Sequence, residues 1–145
     1  MKLLVAGDAR VDAGKTTFAA GLLAALDGAV GFKPRAGNDY WYDHDDAVAA
    51  LSDGRLYGKD VATLAAAGDT DLQEEQLNPV HRLWPPTPDR TGMLGEAGRP
   101  FLVARVPPPD GPSFAVNGLA ARTGLLPAPV PQSLPPAHPL RARRP

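Results

Sequence analysis

Short apolar runs separated by polar turns fill the first 67 residues and predict alternating strands and helices. In chain order the predicted elements are a strand at residues 3–6, a helix at 16–26, a strand at 29–33, a helix at 47–51 and a helix at about 59–67. Two strands joined through a helix favour a parallel sheet, because the crossover returns the chain in the same direction. The pattern therefore predicts an α/β fold built on a small parallel sheet.

Single residues mark the ends of these elements. Pro34 stops the second predicted strand, and Asp45 or Asp46 is expected to cap the helix at 47–51, because Asp is a favoured N-cap. Gly68 closes the last of the predicted helices.

The C-terminal part has a different composition, since 16 of the 17 prolines lie at or beyond Pro79. An apolar run at 101–106 still predicts a strand, and residues 114–117 predict its hairpin partner. Residues 127–145 alternate Pro, Ala, Leu and Arg, a composition typical of an extended and poorly ordered tail. We therefore expect a first domain over residues 1–106, followed by a hairpin strand and a Pro/Arg-rich tail over 107–145.

A Gly-Lys-Thr-Thr run, residues 14–17, lies between the first predicted strand and the first predicted helix. This strand–loop–helix order is typical of a phosphate-binding P-loop, in which backbone N–H groups and the positive end of the helix bind a polyphosphate. Lys15 is expected on the β/γ phosphates and the Thr16 hydroxyl on Mg²⁺. The nucleotide-binding residues are then Ala9, Arg10, Val11, Asp12, Ala13, Gly14, Lys15, Thr16 and Thr17.

The match to the P-loop pattern has one departure. The first glycine of the pattern belongs at position 9, which is Ala9, and the nearest glycine is Gly7. The alternative is a glycine turn that ends a strand, with Lys15 on the exposed first turn of a helix. The preceding apolar run and the Ala/Leu-rich stretch that follows favour the nucleotide site.

Residues 35–46 form a polar and aromatic segment after the second predicted strand. In open α/β sheets ligands collect at the carboxyl ends of strands, so Asp45 or Asp46 is a candidate metal contact. Lys33, at the end of the same predicted strand, is placed for a phosphate or a carboxylate. His44 is a candidate metal ligand or general base, and the three aromatic side chains at 40–42 are candidates to stack on an adenine or a substrate. The alternatives are a solvated surface loop, an ordinary exposed Lys33, a solvated His44, and packing of Tyr40 and Tyr42 under the loop.

Charge and composition narrow the class of protein. The net charge is −1, which gives no general case for nucleic acid or for an anionic membrane. Residues 1–80 hold 13 acidic against 7 basic residues, a net charge of −6, and residues 81–145 carry +5. The absence of Cys excludes disulfides and thiolate metal sites, and the longest apolar run, 18–26, is too short to span a bilayer. We therefore expect a cytoplasmic protein.

Several of these stretches together resemble the amino-terminal half of the dethiobiotin synthetases and related P-loop ATPases, including an uncharacterised group from salt-loving archaea. The resemblance lies in the 7–17 loop, in Gly31-Phe32-Lys33-Pro34, in Asp46-Ala47-Val48 and in Asn78-Pro79. It implies ATP and Mg²⁺ as cofactors, with Lys15 on the phosphates and Thr16 and Asp46 on the metal. It also implies that Lys33 lies near a transferred phosphate or a substrate carbamate, so Lys15 and Lys33 are the candidate catalytic residues.

The sequence thus predicts a Mg²⁺-dependent ATP-binding protein, either an ATPase or a phosphoryl-transfer enzyme acting on a small-molecule substrate. No predicted strand is followed by the acidic residue of a conventional Walker B element, which favours an alternative: a nucleotide-dependent switch with a protein partner and little turnover. Arg10 lies five residues before Lys15, where partition-type ATPases carry a lysine that acts across a dimer, so a homodimer is compatible with this alternative. A third hypothesis is a truncated or frame-altered, inactive member of the family.

Overall fold

The computed structural model describes residues 1–7, 13–85, 101–106 and 113–127 and has an α/β architecture. Its strands are β1 (Arg35–Asp39), β2 (Val80–Trp84), β3 (Val103–Val106) and β4 (Ser113–Val116). Its helices are α1 (Lys15–Ala24), α2 (His44–Ser52), α3 (Lys59–Ala67), α4 (Glu74–Leu77) and α5 (Gly118–Arg122).

The four strands form one open sheet in the order β1-β2-β3-β4. β1 runs parallel to β2, with Arg35 opposite Val80, and the connection between them passes through α2, α3 and α4. The other two pairs are antiparallel, with Leu83 opposite Val103 and Val103 opposite Val116. The sheet is therefore mixed, with one parallel pair, whereas the sequence predicted a small parallel sheet followed by a C-terminal hairpin. The predicted hairpin is confirmed as β3 and β4.

The hydrophobic core lies between one face of the sheet and the helices that follow β1. Every side chain in it is at most 5% exposed. Its members are Ala47 and Leu51 of α2, Leu56, Leu83 of β2, Leu102 and Val103, Phe114 of β4 and Ala120 of α5. These residues come from both sides of residue 106, so the hairpin and α5 contribute to the same core as α2. The division of the chain at residue 106 stays a prediction.

Three predicted helices are confirmed, with small shifts at their ends. α3 has the bounds expected for it, because Gly58 and Gly68 flank it in extended backbone and Val61 and Leu64 supply a buried stripe. α2 begins earlier than expected. Its N-cap is Asp43, and Asp45 and Asp46 lie in its first turn, so the expectation that one of them caps the helix was wrong.

The strands expected at 3–6 and 29–33 are not formed, since both stretches lack regular secondary structure. The strand of this region begins after Pro34, not before it. The Lys33 amide donates to the Leu77 carbonyl at 2.9 Å, at the end of α4, and so leads the chain into β1. Pairing with β2 thus outweighs local preference, because Arg-Ala-Gly-Asn-Asp is a poor strand sequence by itself.

Candidate functional site

The Gly-Lys-Thr-Thr run begins α1, as the motif predicted. Gly14 is the N-cap with φ +75°, a left-handed conformation that glycine adopts at little cost, and the Phe18 amide donates to its carbonyl at 2.9 Å. The amides of Lys15, Thr16 and Thr17 are therefore the first N–H groups of a ten-residue helix. Donors in this position favour an anion in front of the helix.

The side chain of Lys15 lies close to Gly7, which precedes the loop. A Cβ built on Gly7 would lie 3.2 Å from Lys15 Cγ and 3.4 Å from Lys15 Cδ, so the lysine stem runs along the bare backbone of Gly7. Any larger residue at position 7 would crowd this stem. Gly7 is the glycine nearest to position 9, where the P-loop pattern has its first glycine, and it thus lies beside Lys15.

Four of the predicted nucleotide-binding residues, Ala9, Arg10, Val11 and Asp12, lie outside the described residues, so their part in the loop stays a prediction. Ala13, Gly14 and Thr17 are exposed, whereas Lys15 and Thr16 are half-buried. The described part of the loop is therefore open to solvent at the beginning of α1.

Lys33 is not at the carboxyl end of a strand, and that expectation was wrong. It lies just before β1, at the amino-terminal edge of the sheet. Its amine makes an ion pair with Asp60 in the first turn of α3, and its carbonyl accepts a hydrogen bond from Asn78 Nδ2 at 2.7 Å. Both ends of this residue thus anchor the chain where α3 and β2 begin.

Asp46 is exposed in the first turn of α2, and no hydrogen bond or ion pair joins it to Thr16 within the described chain. In the same part of the chain, no group of three or more His, Asp or Glu side chains could hold a metal ion. The residues expected on Mg²⁺ are thus not gathered into a protein-only metal centre. A metal held by Thr16 would take its other oxygen ligands from phosphate and water, as Mg²⁺ does at many nucleotide sites.

The polar segment after β1 is a turn stabilised by its own carboxylates. Asp39 ends β1 and is 4% exposed, and its Oδ1 accepts from the Trp41 amide at 2.9 Å. Asp43 Oδ2 accepts from the Asp39 amide at 3.2 Å, and Asp43 Oδ1 pairs with Lys59 at 3.3 Å. β1 thus ends in an acid at the carboxyl edge of the sheet, which the sequence did not reveal, and this acid is engaged in the turn.

The aromatic residues of this turn divide into two groups. Tyr40 packs against the core and makes an edge contact with His44, with ring centroids 4.9 Å apart. Trp41 and Tyr42 are 70% and 56% exposed. Packing under the loop is thus confirmed for Tyr40 only, and His44 is solvated, as the alternative interpretation held.

Sequence reasoning missed a buried polar cluster at the amino-terminal edge of the sheet. Arg105 of β3 is 2% exposed and donates to four backbone carbonyls. These are Leu56 O at 2.8 Å, Glu75 O at 3.4 Å, Pro79 O at 3.2 Å and Asn78 O at 2.5 Å. A charged residue inside the apolar run 101–106 was the signal that could have found it, because such a residue is buried only with partners.

His81 of β2 completes this cluster and is fully buried. Burial, together with the positive charges of Arg105 and Lys33, lowers the pKa of His81 to about 3. The ring is therefore neutral at physiological pH. Such a histidine is poorly suited to act as a general base, and we assign it to the structure of the sheet edge.

A second charged group lies close to this edge. Arg55 pairs with Glu74 and Glu75 of α4 at 2.5 Å and lies over the ring of Tyr57, 4.5 Å from its centroid. Burial by itself would raise the pKa of Glu75. The hydrogen bond from Arg55, a backbone hydrogen bond and the positive charges of Arg55 and Arg105 together outweigh burial, so the pKa of Glu75 is lowered. These groups connect α4 to the loop before α3.

Comparison of the chain with protein-family models, with curated proteins and with solved structures gives no match. Within the described residues, none of the helices has the length and apolar character needed to cross a bilayer.

Proposed function

We propose that the chain binds Mg²⁺-ATP at the start of α1, as an ATPase or phosphoryl-transfer enzyme resembling the dethiobiotin synthetases. One observation carries the proposal: the Gly-Lys-Thr-Thr run begins a helix at a left-handed glycine, with the Lys15 stem lying along Gly7. This arrangement combines the first N–H groups of a helix with an ammonium group, the two features that hold a polyphosphate.

In this proposal the chain contributes binding and charge neutralisation. The amides of Lys15, Thr16 and Thr17 donate to phosphate oxygens, the Lys15 ammonium balances the β/γ phosphates, and the Thr16 hydroxyl binds the metal. Mg²⁺, when bound, supplies the charge that the phosphates need during transfer. Asp46 is proposed as a further metal contact through water, consistent with its exposure.

A catalytic role of Lys33 requires a change of partner. Its amine is paired with Asp60, so contact with a phosphate or carbamate would have to replace that ion pair. Lys15 is therefore the stronger candidate of the two for direct work on the nucleotide.

The second candidate function is a nucleotide-dependent switch with little turnover. Two observations favour it: Lys33 is held by Asp60, and Asp39, the acid at the end of β1, is engaged with the Trp41 amide. Each of these two groups thus already has a partner in this conformation. A protein partner or a second copy of the chain would receive the signal, in the cytoplasm expected from the sequence.

Titration calorimetry with Mg²⁺-ATP tests the proposal. We expect Lys15→Ala to weaken binding at least about tenfold, which corresponds to about 1.4 kcal/mol, through loss of a charge-assisted contact. Lys59→Ala is the matched control, because Lys59 is also the first residue of a helix that follows a glycine N-cap, and it should bind as the wild type does.

ATP hydrolysis measured on the same proteins separates the two candidates. Turnover that is lost in Lys15→Ala supports the enzyme, whereas binding without turnover supports the switch. Both candidate functions would be contradicted if the wild-type protein is folded, as judged by circular dichroism, and gives no binding heat.

A further inference from the structure

Two neighbouring aromatic side chains in the turn after β1 lie on the surface. Trp41 is 70% exposed and Tyr42 is 56% exposed, whereas Tyr40 before them packs against the core. Tyr40 thus anchors the turn from inside, and the next two rings face solvent. Large aromatic side chains are enriched at binding surfaces, because each ring supplies much apolar area together with one polar group. Trp41 and Tyr42 therefore form an apolar surface, which we call the aromatic turn.

Exposed carboxylates follow the aromatic turn directly along the chain. Asp45 and Asp46 are both exposed in the first turn of α2. Asp43, which lies before them, is paired with Lys59 at 3.3 Å. Within the described residues, neither Asp45 nor Asp46 takes part in an ion pair. The surface next to the aromatic rings is therefore negatively charged and open to a cation.

The C-terminal tail has the complementary composition. Residues 128–145, which lie outside the described residues, contain six prolines, three arginines and no acidic residue. One stretch in this tail is Pro136-Ala137-His138-Pro139-Leu140-Arg141, in which two prolines stand three residues apart and an arginine follows. A polyproline II helix has three residues per turn, so this spacing would place both prolines on the same side of such a helix.

These two sets of residues match one mode of peptide recognition. Proline-rich segments of the P-x-x-P type bind grooves lined with aromatic side chains, because the polyproline II helix is formed in advance and loses little entropy on binding. A neighbouring arginine pairs with a carboxylate or lies over an aromatic ring. The aromatic turn and Asp45 supply both kinds of partner. The opposite charges of the acidic N-terminal and basic C-terminal parts of the chain favour the same contact.

The tail is long enough to make this contact within one molecule. Leu126 packs against the same core as Tyr40, so the chain enters the tail from the core that the aromatic turn also borders. Pro136 lies nine residues after Pro127. Nine residues of polyproline II span about 28 Å, at about 3.1 Å per residue. Since a folded chain of about 100 residues has a radius of gyration of about 13 Å, the segment at 136–141 can reach the aromatic turn.

We propose that the aromatic turn, together with Asp45, is an intramolecular docking surface for residues 136–141 of the C-terminal tail. The prolines of this segment pack on the two aromatic rings, and the Arg141 guanidinium pairs with the Asp45 carboxylate. The tail thereby covers the turn that follows the carboxyl end of β1.

A nitroxide spin label in the full-length protein tests this contact. The chain has no Cys, so Ala142→Cys provides a single labelling site directly after Arg141. The label broadens the nuclear magnetic resonance signals of protons close to it, and Trp41→Phe shows which of the two indole N–H signals belongs to Trp41. We expect the Trp41 signal to be strongly broadened and to recover most of its intensity when Arg141→Glu is added. A Trp41 signal of full intensity in the labelled protein would overturn the proposal.

Matched substitutions separate this site from general attraction between opposite charges. Arg144→Glu makes the same change of charge outside residues 136–141 and should leave the Trp41 signal broadened. On the folded surface, Asp45→Asn should restore the signal, whereas Asp53→Asn at the other end of α2 should not. Equal recovery in the two arginine variants, or in the two aspartate variants, would overturn the proposed site.

A mixing experiment distinguishes docking within one molecule from docking between two copies. Isotope-labelled protein without the spin label is mixed with spin-labelled protein without the isotope, at the same total concentration. We expect the Trp41 signal of the mixture to keep its intensity, because each surface is occupied by the tail of its own chain. Broadening as strong as that within the singly labelled protein would overturn the intramolecular contact.

Discussion

Two phenylalanines show how differently the two ends of this chain are packed. Phe114 of β4 is 5% exposed within the core, whereas Phe18 of α1 is 65% exposed. α1 as a whole contributes no buried residue, although it is rich in Ala and Leu, and it rests mainly on α3. The sheet with α2, α3 and α5 therefore carries the stability, and the helix that begins at the candidate nucleotide loop is attached to it from outside.

This difference bears on the proposed function. Segments with few buried apolar contacts open at lower free energy than the core, and ligand-binding elements often come from such segments. A nucleotide bound at the start of α1 would stabilise that helix by mass action, in proportion to ligand concentration over Kd. We therefore expect ligand binding to change the N-terminal region more than the sheet.

The largest expected effect comes from truncating the two phenylalanines. Phe114→Ala should lower the free energy of unfolding by about 3–5 kcal/mol, because it leaves a cavity in the core. Phe18→Ala, its matched control, should change it by less than about 0.5 kcal/mol, as is usual at the surface. Urea unfolding of both variants measures the difference. Equal losses would show that α1 belongs to the cooperative core, and would break the comparison.

A smaller effect is expected from pH. His81 has a pKa of about 3 in the folded protein and about 6.5 when unfolded. Below pH 6.5 the His81 ring binds a proton in the unfolded chain but stays neutral in the folded protein. The free energy of unfolding therefore falls as the pH falls. Between pH 6.5 and pH 5 the loss should reach about 1.6 kcal/mol, because the slope rises from half of its maximum of roughly 1.4 kcal/mol per pH unit to nearly that maximum.

The control for the pH effect is His81→Gln, which keeps a hydrogen-bonding side chain that does not titrate. Its urea midpoint should be less sensitive to pH over this window than that of the wild type. The charged groups that act on His81 are Arg105, Lys33 and Asp60, and all three remain in the variant. An unchanged slope would show that another group titrates.

The smallest expected effect lies within the N-terminal region itself. Gly14→Ala should lower stability by about 1 kcal/mol in the absence of nucleotide, because φ is +75° at that position. Gly21→Ala should raise it by about 0.5–1 kcal/mol, since Gly21 lies inside α1 and a Cβ there meets nothing within 4 Å. Thermal unfolding of the two variants reports the difference, and a loss in both would contradict the exposed position of α1.

The elements predicted from sequence are those that local signals define. α3 follows from its apolar stripe between Gly58 and Gly68, and the hairpin follows from two apolar runs separated by prolines. β1 escaped prediction because its five residues are poor strand formers that acquire their conformation from β2. β2 lies between Pro79 and Pro85, which disguised it, and α4 and α5 are too short for a periodic signal.

The candidate site was predictable to the same extent. The Gly-Lys-Thr-Thr run lies at a helix start, as its pattern indicates, since that geometry is local. The predicted position of Lys33 at the carboxyl end of a strand was wrong, because tertiary pairing with β2 decides where that strand begins. Phe114 and Ala120 lie in the core, and the hypothesis of a frame-altered end beyond residue 106 stays a prediction.

The sheet also suggests an order of assembly. β3 and β4 are close along the chain, whereas β1 meets β2 through contacts such as Asn78 to Lys33, which span 45 residues. Strands far apart in the sequence lose more chain entropy when they come together, before their contacts stabilise the pair. We expect the β3–β4 hairpin to form early in refolding and the parallel pair β1–β2 to form last. Asn78→Ala should therefore slow the formation of the parallel pair more than the formation of the hairpin.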